Sequence, residues 1–246
     1  PVLLAVQAFK GKTYDQAWGY LSKIPQQSMN GFAMPLLKAW AQAPNQPQDK
    51  AEAELAPLKN LQDMGEMVEV TQALLAESYG NNEAALAHYG ALAKRIEEQR
   101  TSIIRVVSDG YRRLGKADKA KAALEHYLAV RGRSPSIEAY LDGATPPKKI
   151  TPQLGMAEAL YSAAEMLLLN DANDFRAQVA TAYAQMALYL EPDFSMAQRF
   201  VGTALAARNH FDESNAVLGS IRKSAPDWLE SQVLIAENYA RQKRTG

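Results

Sequence analysis

Three arginines and one aspartate lie close together in the middle of the chain. Arg105, Arg112 and Arg113 recur on one face of a predicted helix. Guanidinium groups bind carboxylates and phosphates through paired hydrogen bonds, so this face could clamp an anion. Asp109 follows Arg105 by four residues, which is the spacing of an ion pair within a helix. The pattern therefore has two interpretations, an anion-binding face and a local, solvated ion pair, and the second is favoured.

A short glycine motif overlaps these arginines. Gly110, Gly115 and Lys116 have the spacing of a phosphate-binding loop, but Ala117 stands where that loop needs a serine or threonine for magnesium. The motif also lies between two predicted helices and does not follow a strand. We interpret it as a glycine-containing turn between helices.

Other catalytic and metal-binding patterns are missing from the sequence. The three histidines, His88, His126 and His210, are far apart, and none has a second ligand at helical metal-site spacing. The chain has no cysteine, which excludes disulfides, thiolate zinc sites and cysteine nucleophiles. We expect a protein that is not an enzyme and needs no cofactor or metal.

The charges balance, with 27 Lys+Arg against 27 Asp+Glu. A neutral chain offers no overall field to attract nucleic acid, so no nucleic-acid partner is expected. The longest apolar stretches, Val2 to Val6 and Met166 to Leu169, are far shorter than the roughly 20 residues of a membrane-spanning helix. We expect no membrane span.

Small and large apolar residues return every 34 residues in the first part of the chain. The small positions are Ala5, Ala39 and Ala73, and a second alanine recurs at Ala17, Ala51 and Ala85. Large apolar residues keep the same step at Leu21, Leu55 and Tyr89, and at Ile24, Leu58 and Leu92. Such a period indicates stacked helix pairs, each of which buries its apolar side against its neighbours.

The helices follow from apolar spacing and from turn residues between them. The predicted helices are Val2 to Lys10, Tyr14 to Ile24, Met29 to Ala43, Asp49 to Leu61, Glu66 to Tyr79, Asn82 to Ile96, Thr101 to Leu114 and Lys116 to Val130. The period breaks over 132–152, where Ser134 and Pro135 predict a short helix.

The period resumes after this insertion, with Val201 and Ile235, Gly202 and Ala236, and Leu205 and Tyr239 again 34 apart. The predicted helices here are Gln153 to Leu169, Asp174 to Leu190, Ser195 to Arg208, Phe211 to Lys223 and one that begins near Trp228. Ser195 and Gln198 have the spacing of a capping box.

The repeats resemble the tetratricopeptide repeat (TPR) family. The resemblance is carried by Ile104, Val107, Ser108, Tyr111, Gly115, Ala120, Leu124 and Tyr127, and by Val201, Gly202, Leu205, Phe211, Leu218, Ile221 and Pro226. It covers nearly everything except the insertion, although Ser214 replaces an expected alanine. It implies an all-α, TPR-type α-solenoid, a right-handed superhelix of about six antiparallel helix pairs plus a terminal helix.

We divide the chain accordingly into an N-terminal block of about four helix pairs at 1–131, an insertion at 132–152 and a C-terminal block at 153–246. We expect the insertion to be a solvated connector; a hinge and a docking loop are the alternatives. The alanine-rich, proline-closed style resembles that of bacterial repeat proteins. The chain opens with Pro1, so we expect the natural start to lie upstream, which leaves cytoplasm and periplasm as alternatives.

The resemblance also implies a concave groove lined by the first helix of each pair. Its expected lining residues are Leu36, Trp40, Val70, Leu74, Arg105, Asp109, Arg112, Arg199, Thr203, Val233 and Glu237. Trp40 has two interpretations, an anchor for a partner and a core residue, and the second is favoured.

We therefore expect a non-enzymatic scaffold that binds a peptide or helix of a partner protein in the groove. The alternative is a structural segment of a larger repeat protein that self-associates into a homo-oligomer or acts as a rigid spacer.

Overall fold

The computed structural model describes residues 1–25, 27–28, 31–59, 61, 64–141, 146–169 and 173–243. Over these residues the chain is all-helical and has no strand. The helices of the first half are α1 Val2–Lys10, α2 Tyr14–Ser22, α3 Met34–Gln42, α4 Gln48–Ala53, α5 Gly65–Ser78, α6 Asn82–Ala93, α7 Thr101–Arg113 and α8 Ala117–Arg131. Those of the second half are α9 Pro135–Leu141, α10 Pro152–Leu169, α11 Asp174–Leu190, α12 Ser195–Ala207, α13 Phe211–Gly219 and α14 Trp228–Lys243.

Helices next to each other in sequence pack as pairs: α1 with α2, α3 with α4, α5 with α6, α7 with α8, α10 with α11, and α12 with α13. The alanines of the 34-residue period lie in these contacts, and Ala17, Ala39, Ala51, Ala73 and Ala85 are all 0% exposed. Small side chains let the two helix backbones approach closely, which explains why the period demands them. The described chain is therefore an all-α array of sequentially packed helices, as in an α-solenoid.

Glycine residues end two of the helices, and an asparagine side chain caps the start of another. Gly80 and Gly115 take the left-handed conformation after α5 and α7, with φ of 78° and 71°. The Asn81 side chain then accepts a hydrogen bond from the Ala84 N–H and caps α6. The turn predicted at 110–116 is thus the connection between α7 and α8.

Several local predictions of helix bounds and caps are wrong. The helix expected from Asp49 to Leu61 stops at Ala53, because the ring of Pro57 would meet the carbonyl of Ala53 four residues earlier; a 3₁₀ turn, Ala56–Leu58, follows. Ser195 forms no capping box, since it is the first residue of α12 and its hydroxyl donates to Asp227 at 2.6 Å. Helix α3 begins at Met34 and not near Met29, since 31–33 form a turn; Met29 itself lies outside the described residues. Helices α6 and α13 end at Ala93 and Gly219, before the predicted Ile96 and Lys223.

Helix α10 packs against α3 and α5 of the first half as well as against its own partner α11. It is buried on most of its circumference, and Gly155 sits against the ring of Trp40. One hydrophobic cluster accordingly runs from Ala5 to Val201 and includes residues of both sequence blocks. The chain folds back, so that its second half covers part of its first.

The insertion contributes to the packing through α9. Ile137 is 0% exposed and belongs to a small apolar cluster with α7 and α8. The Ser136 N–H donates to Glu230 of α14 at 3.3 Å. The expectation of a solvated connector is therefore wrong for 135–141, while 142–145 lie outside the described residues.

Within the part of the chain that the structure describes, no helix has both the length and the apolar character needed to cross a membrane.

Candidate functional site

The groove predicted for the first half is filled by α10. Leu36 and Trp40 on α3 are 0% exposed, and Val70 and Leu74 on α5 are also buried. The expectation that Leu36, Trp40 and Val70 line an open groove is wrong, because α10 packs against α3 and α5. Of the two interpretations of Trp40, the structure supports the core residue.

Two carboxylates anchor α10 to Arg105 of α7 and to Arg100, the residue just before that helix. Glu158 accepts from the Arg105 guanidinium at 2.6 Å, and Glu165 accepts from Arg100 at 3.2 Å and from the Ser102 hydroxyl at 2.7 Å. Higher numbers on α10 thus meet lower numbers on α7, so the two helices run antiparallel. We call these contacts the α7–α10 ladder.

Burial sets the electrostatics of this ladder. Loss of water raises the pKa of Glu165, and the charge of Arg100 only partly offsets that effect. Burial by itself would lower the pKa of Arg105, but the charge of Glu158 and its other partners outweigh it, so the pKa of this guanidinium is raised. Arg105 therefore stays charged inside the protein, and its charge depends on the carboxylates around it.

The arginine cluster of α7 is satisfied by acids of the chain itself. Asp109 lies 3.8 Å from both Arg105 and Arg112, and burial raises the pKa of its carboxyl group against the effect of these arginines. Arg113 donates to Glu77 through Nε and Nη2. The local ion pair that was favoured is present, but it is mostly buried and not solvated as expected.

A cleft remains open beside the ladder, between α7, α9, α10 and the turns at 191–195 and 222–226. It holds about 450 Å³ and brings together three of the predicted groove residues, Leu74, Arg105 and Asp109. We call it the charged cleft. Its apolar walls come from Leu74, Val106, Ile150, Leu154, Phe194 and Met196.

Charges of both signs line the charged cleft, and they pair with each other. At its rim Lys148 donates to Glu191 at 2.9 Å, and Arg222 lies 3.6 Å from Asp193. Deeper in the cleft, the Arg105 guanidinium lies 5.2 Å from the centre of the Phe194 ring. Among the described residues, four lining cations, Arg105, Arg113, Lys148 and Arg222, are matched by four lining acids, Asp109, Glu158, Glu191 and Asp193. The described lining of the cleft thus carries charges of both signs and no net charge.

The remaining predicted groove residues lie elsewhere. Arg199 is held between Asp227 at 3.0 Å and Glu230 at 2.7 Å, and with Thr203 it lines a second, more apolar cavity of about 480 Å³. Glu237 is exposed on α14. The predicted set therefore divides between a filled groove, two cavities and a free helix face, and does not form one continuous groove.

Several cleft residues were not predicted, among them Glu158, Tyr140 and Phe194. A sequence signal for Glu158 was present: Glu158 and Glu165 are seven residues apart in an otherwise uncharged helix, so they share a face and indicate buried cations opposite. Tyr140 and Phe194 belong to the insertion and to a turn, and no periodicity marks them.

The described residues contain no group of three acids or histidines that could hold a metal ion. His88 lies 2.8 Å from Glu69, and each of the other two histidines also contacts a single glutamate.

The chain matches no protein-family model, and it matches no curated protein.

Proposed function

We propose that this chain is a non-enzymatic, TPR-type scaffold that binds a segment of a partner protein in the charged cleft. The observation that supports the proposal is the cleft itself, an opening of about 450 Å³ with apolar walls and paired charges at its rim. Polar groups at the edge of an apolar pocket are the usual composition of a peptide-binding site, since the pocket gives affinity and the rim gives orientation.

The neutral lining defines the class of partner. A polyanion such as nucleic acid gains little from a cleft in which four lining cations face four lining acids. A peptide with one apolar anchor side chain fits better, because the anchor can contact Ile150 and Phe194 on the cleft wall. Charged groups that flank the anchor can then exchange partners with Lys148 and Arg222, whose side chains are 49% and 57% exposed.

The experiment is selection from a library of displayed peptides, followed by affinity measurement against two variants. Ala225→Trp places a large ring in the charged cleft, because Ala225 lines it. Ala182→Trp places the same ring on the exposed side of α11 and serves as the matched control. We expect the selected peptides to share an apolar anchor, to bind the wild-type chain and Ala182→Trp equally, and to lose at least tenfold in affinity for Ala225→Trp.

Two results would contradict the proposal. The first is that no peptide of this kind is selected by the folded wild-type chain. The second is that the selected peptides bind Ala225→Trp as tightly as the control, since the binding surface would then lie outside the charged cleft.

A further inference from the structure

Three polar side chains lie together in the deeper part of the charged cleft. Arg105 and Asp109 are on consecutive turns of α7, and Tyr140 is on α9, which packs against α7. All three line the cleft, and the charges of Arg105 and Asp109 both act on the Tyr140 hydroxyl. The side chains of Arg105 and Asp109 are only 10% and 13% exposed. We call these three residues the polar floor.

The polar floor has hydrogen-bonding capacity that the described chain does not use. The Asp109 carboxylate accepts no hydrogen bond from a described residue, since the guanidinium groups of Arg105 and Arg112 lie 3.8 Å from it. The Tyr140 hydroxyl also has no hydrogen-bond partner among the described residues. Arg105 donates from Nη2 to Glu158 and from Nε to the sulfur of Met196, a weak acceptor, which leaves Nη1 facing Asp109.

Burial makes these unused groups good partners for a ligand. A carboxylate that has lost its water and gained no hydrogen bond is costly, and burial accordingly raises the pKa of the Asp109 carboxyl group. Burial also raises the pKa of Tyr140, so its hydroxyl keeps the proton and can donate it in a hydrogen bond. A ligand group that reaches the polar floor finds one acceptor, Asp109, beside two donors, Arg105 and Tyr140.

The charges around the polar floor favour a neutral ligand group. A ligand carboxylate would lie beside Asp109 and Glu158, and an ammonium group would lie beside Arg105, so either would add an unmatched charge where little water remains. A carboxamide is neutral and presents N–H donors and a carbonyl acceptor side by side at the end of one side chain. A main-chain amide cannot do the same, because its N–H and its carbonyl point in opposite directions.

We infer that the charged cleft selects a peptide in which a glutamine or asparagine flanks the apolar anchor, and that the polar floor binds its carboxamide. Asp109 accepts from the amide nitrogen, and Arg105 and Tyr140 donate to the carbonyl oxygen. The inference rests on the proposed function, because it requires a peptide in the charged cleft. Asp109 and Tyr140 are then the residues that determine which peptide binds.

The test uses a focused library of displayed nine-residue peptides with a central phenylalanine. Each flanking position carries Gln, Asn, Glu, Lys or Met, so the side chains end in a carboxamide, a carboxylate, an ammonium group or a thioether. Both ends are joined to the carrier, so no terminal amide or carboxylate is presented. We expect glutamine or asparagine to be enriched at one fixed distance from the phenylalanine. Changing that residue to Glu or Lys should weaken binding at least tenfold.

Two variants test the polar floor itself. Tyr140→Phe removes a hydroxyl that has no partner in the described chain, so the urea midpoint should stay the same while the affinity for the carboxamide peptide falls about three- to tenfold. The Met form of the peptide should change less than twofold. Tyr239→Phe, at an exposed tyrosine outside the cleft lining, is the matched control and should change neither affinity.

Asp109→Asn should reverse the order of the peptides. It removes one negative charge beside Arg105, so the polar floor gains a net positive charge and should bind the Glu form more tightly than the Gln form. Loss of structure alone would weaken all forms together, and circular dichroism verifies that the variant is folded.

The outcomes separate this inference from the proposed function. Peptides that lose affinity for Ala225→Trp but show no preference for a carboxamide overturn the inference and leave the proposed function standing. Peptides that keep their carboxamide preference in both Tyr140→Phe and Asp109→Asn overturn it as well, because another part of the cleft would then bind the amide. If no peptide of the library loses affinity for Ala225→Trp, the proposed function and this inference fail together.

Discussion

Replacing Gly155 with alanine tests whether α10 fills the groove of the first half. Gly155 lies inside α10, and a Cβ built on it would lie 2.2 Å, 2.3 Å and 2.4 Å from three ring carbons of Trp40. These atoms belong to the six-membered ring of an indole that is 0% exposed, so the ring has no open space to turn into. The added methyl group must therefore push α10 away from α3.

Helix propensity and packing predict opposite signs for this substitution. Alanine in a helix interior is favoured over glycine by about 1 kcal/mol. Ordinary contacts between carbon atoms lie at about 3.5 to 4.0 Å, so the new Cβ lies more than 1 Å inside the normal distance. Overpacking of this kind costs about 1 to 3 kcal/mol. Because the overlap is large, we expect a clash near the upper part of this range, and the free energy of unfolding should fall by about 1 to 2 kcal/mol once the propensity gain is subtracted.

Gly19→Ala is the matched control. Gly19 lies inside α2, and nothing stands within 4 Å of the position that its Cβ would take. Only helix propensity acts at this position, so Gly19→Ala should raise the free energy of unfolding by roughly 0.5 to 1 kcal/mol. Urea unfolding followed by far-ultraviolet circular dichroism measures both variants, and their midpoints should move in opposite directions.

A double variant identifies the clash directly. Trp40→Phe replaces the indole with a shorter side chain that lacks its outer ring atoms, so Gly155→Ala should cost at least about 0.5 kcal/mol less in that background than in the wild type. The reasoning is refuted if Gly155→Ala stabilises the chain as Gly19→Ala does, because α10 would then not be held against α3. Strict additivity in the double variant would refute the contact with Trp40.

Two further predictions concern the α7–α10 ladder. Arg105→Met leaves the buried Glu158 without its guanidinium partner, and should lower the free energy of unfolding by about 3 to 5 kcal/mol. Adding Glu158→Leu should recover much of this loss. A double variant no more stable than Arg105→Met would contradict the ion pair. The second prediction concerns pH. Burial raises the pKa of Glu165 above its ordinary value, so the Glu165 carboxyl group holds its proton more tightly in the folded chain than in the unfolded chain. Its contribution to stability is full below the ordinary carboxyl pKa of about 4.3 and is lost as the pH rises through the folded value. Relative to the wild type, Glu165→Gln should therefore gain stability between pH 4 and pH 7 in urea titrations, and a constant difference would contradict the prediction.

The sequence by itself determined the helices and their pairing. Helices α1, Val2–Lys10, and α11, Asp174–Leu190, have the predicted bounds, and the pairs follow the 34-residue period. Both features are local: apolar spacing, turn glycines and small packing residues act within one repeat or between adjacent ones. Leu74, Arg105 and Asp109 line the charged cleft, but the cleft is formed by several distant segments and is not the continuous groove that the sequence predicted.

Only the tertiary structure decided which surfaces stay open. The period places Trp40 and Leu36 on the concave face of α3, but their burial depends on α10, which lies more than 100 residues later in the chain. No repeat pattern encodes that contact, since it arises from the packing of α10 on α3 and α5 and from the buried pairs of the α7–α10 ladder. A helix face that is apolar in sequence is covered or exposed according to what the fold brings to it, and here the fold covers α3.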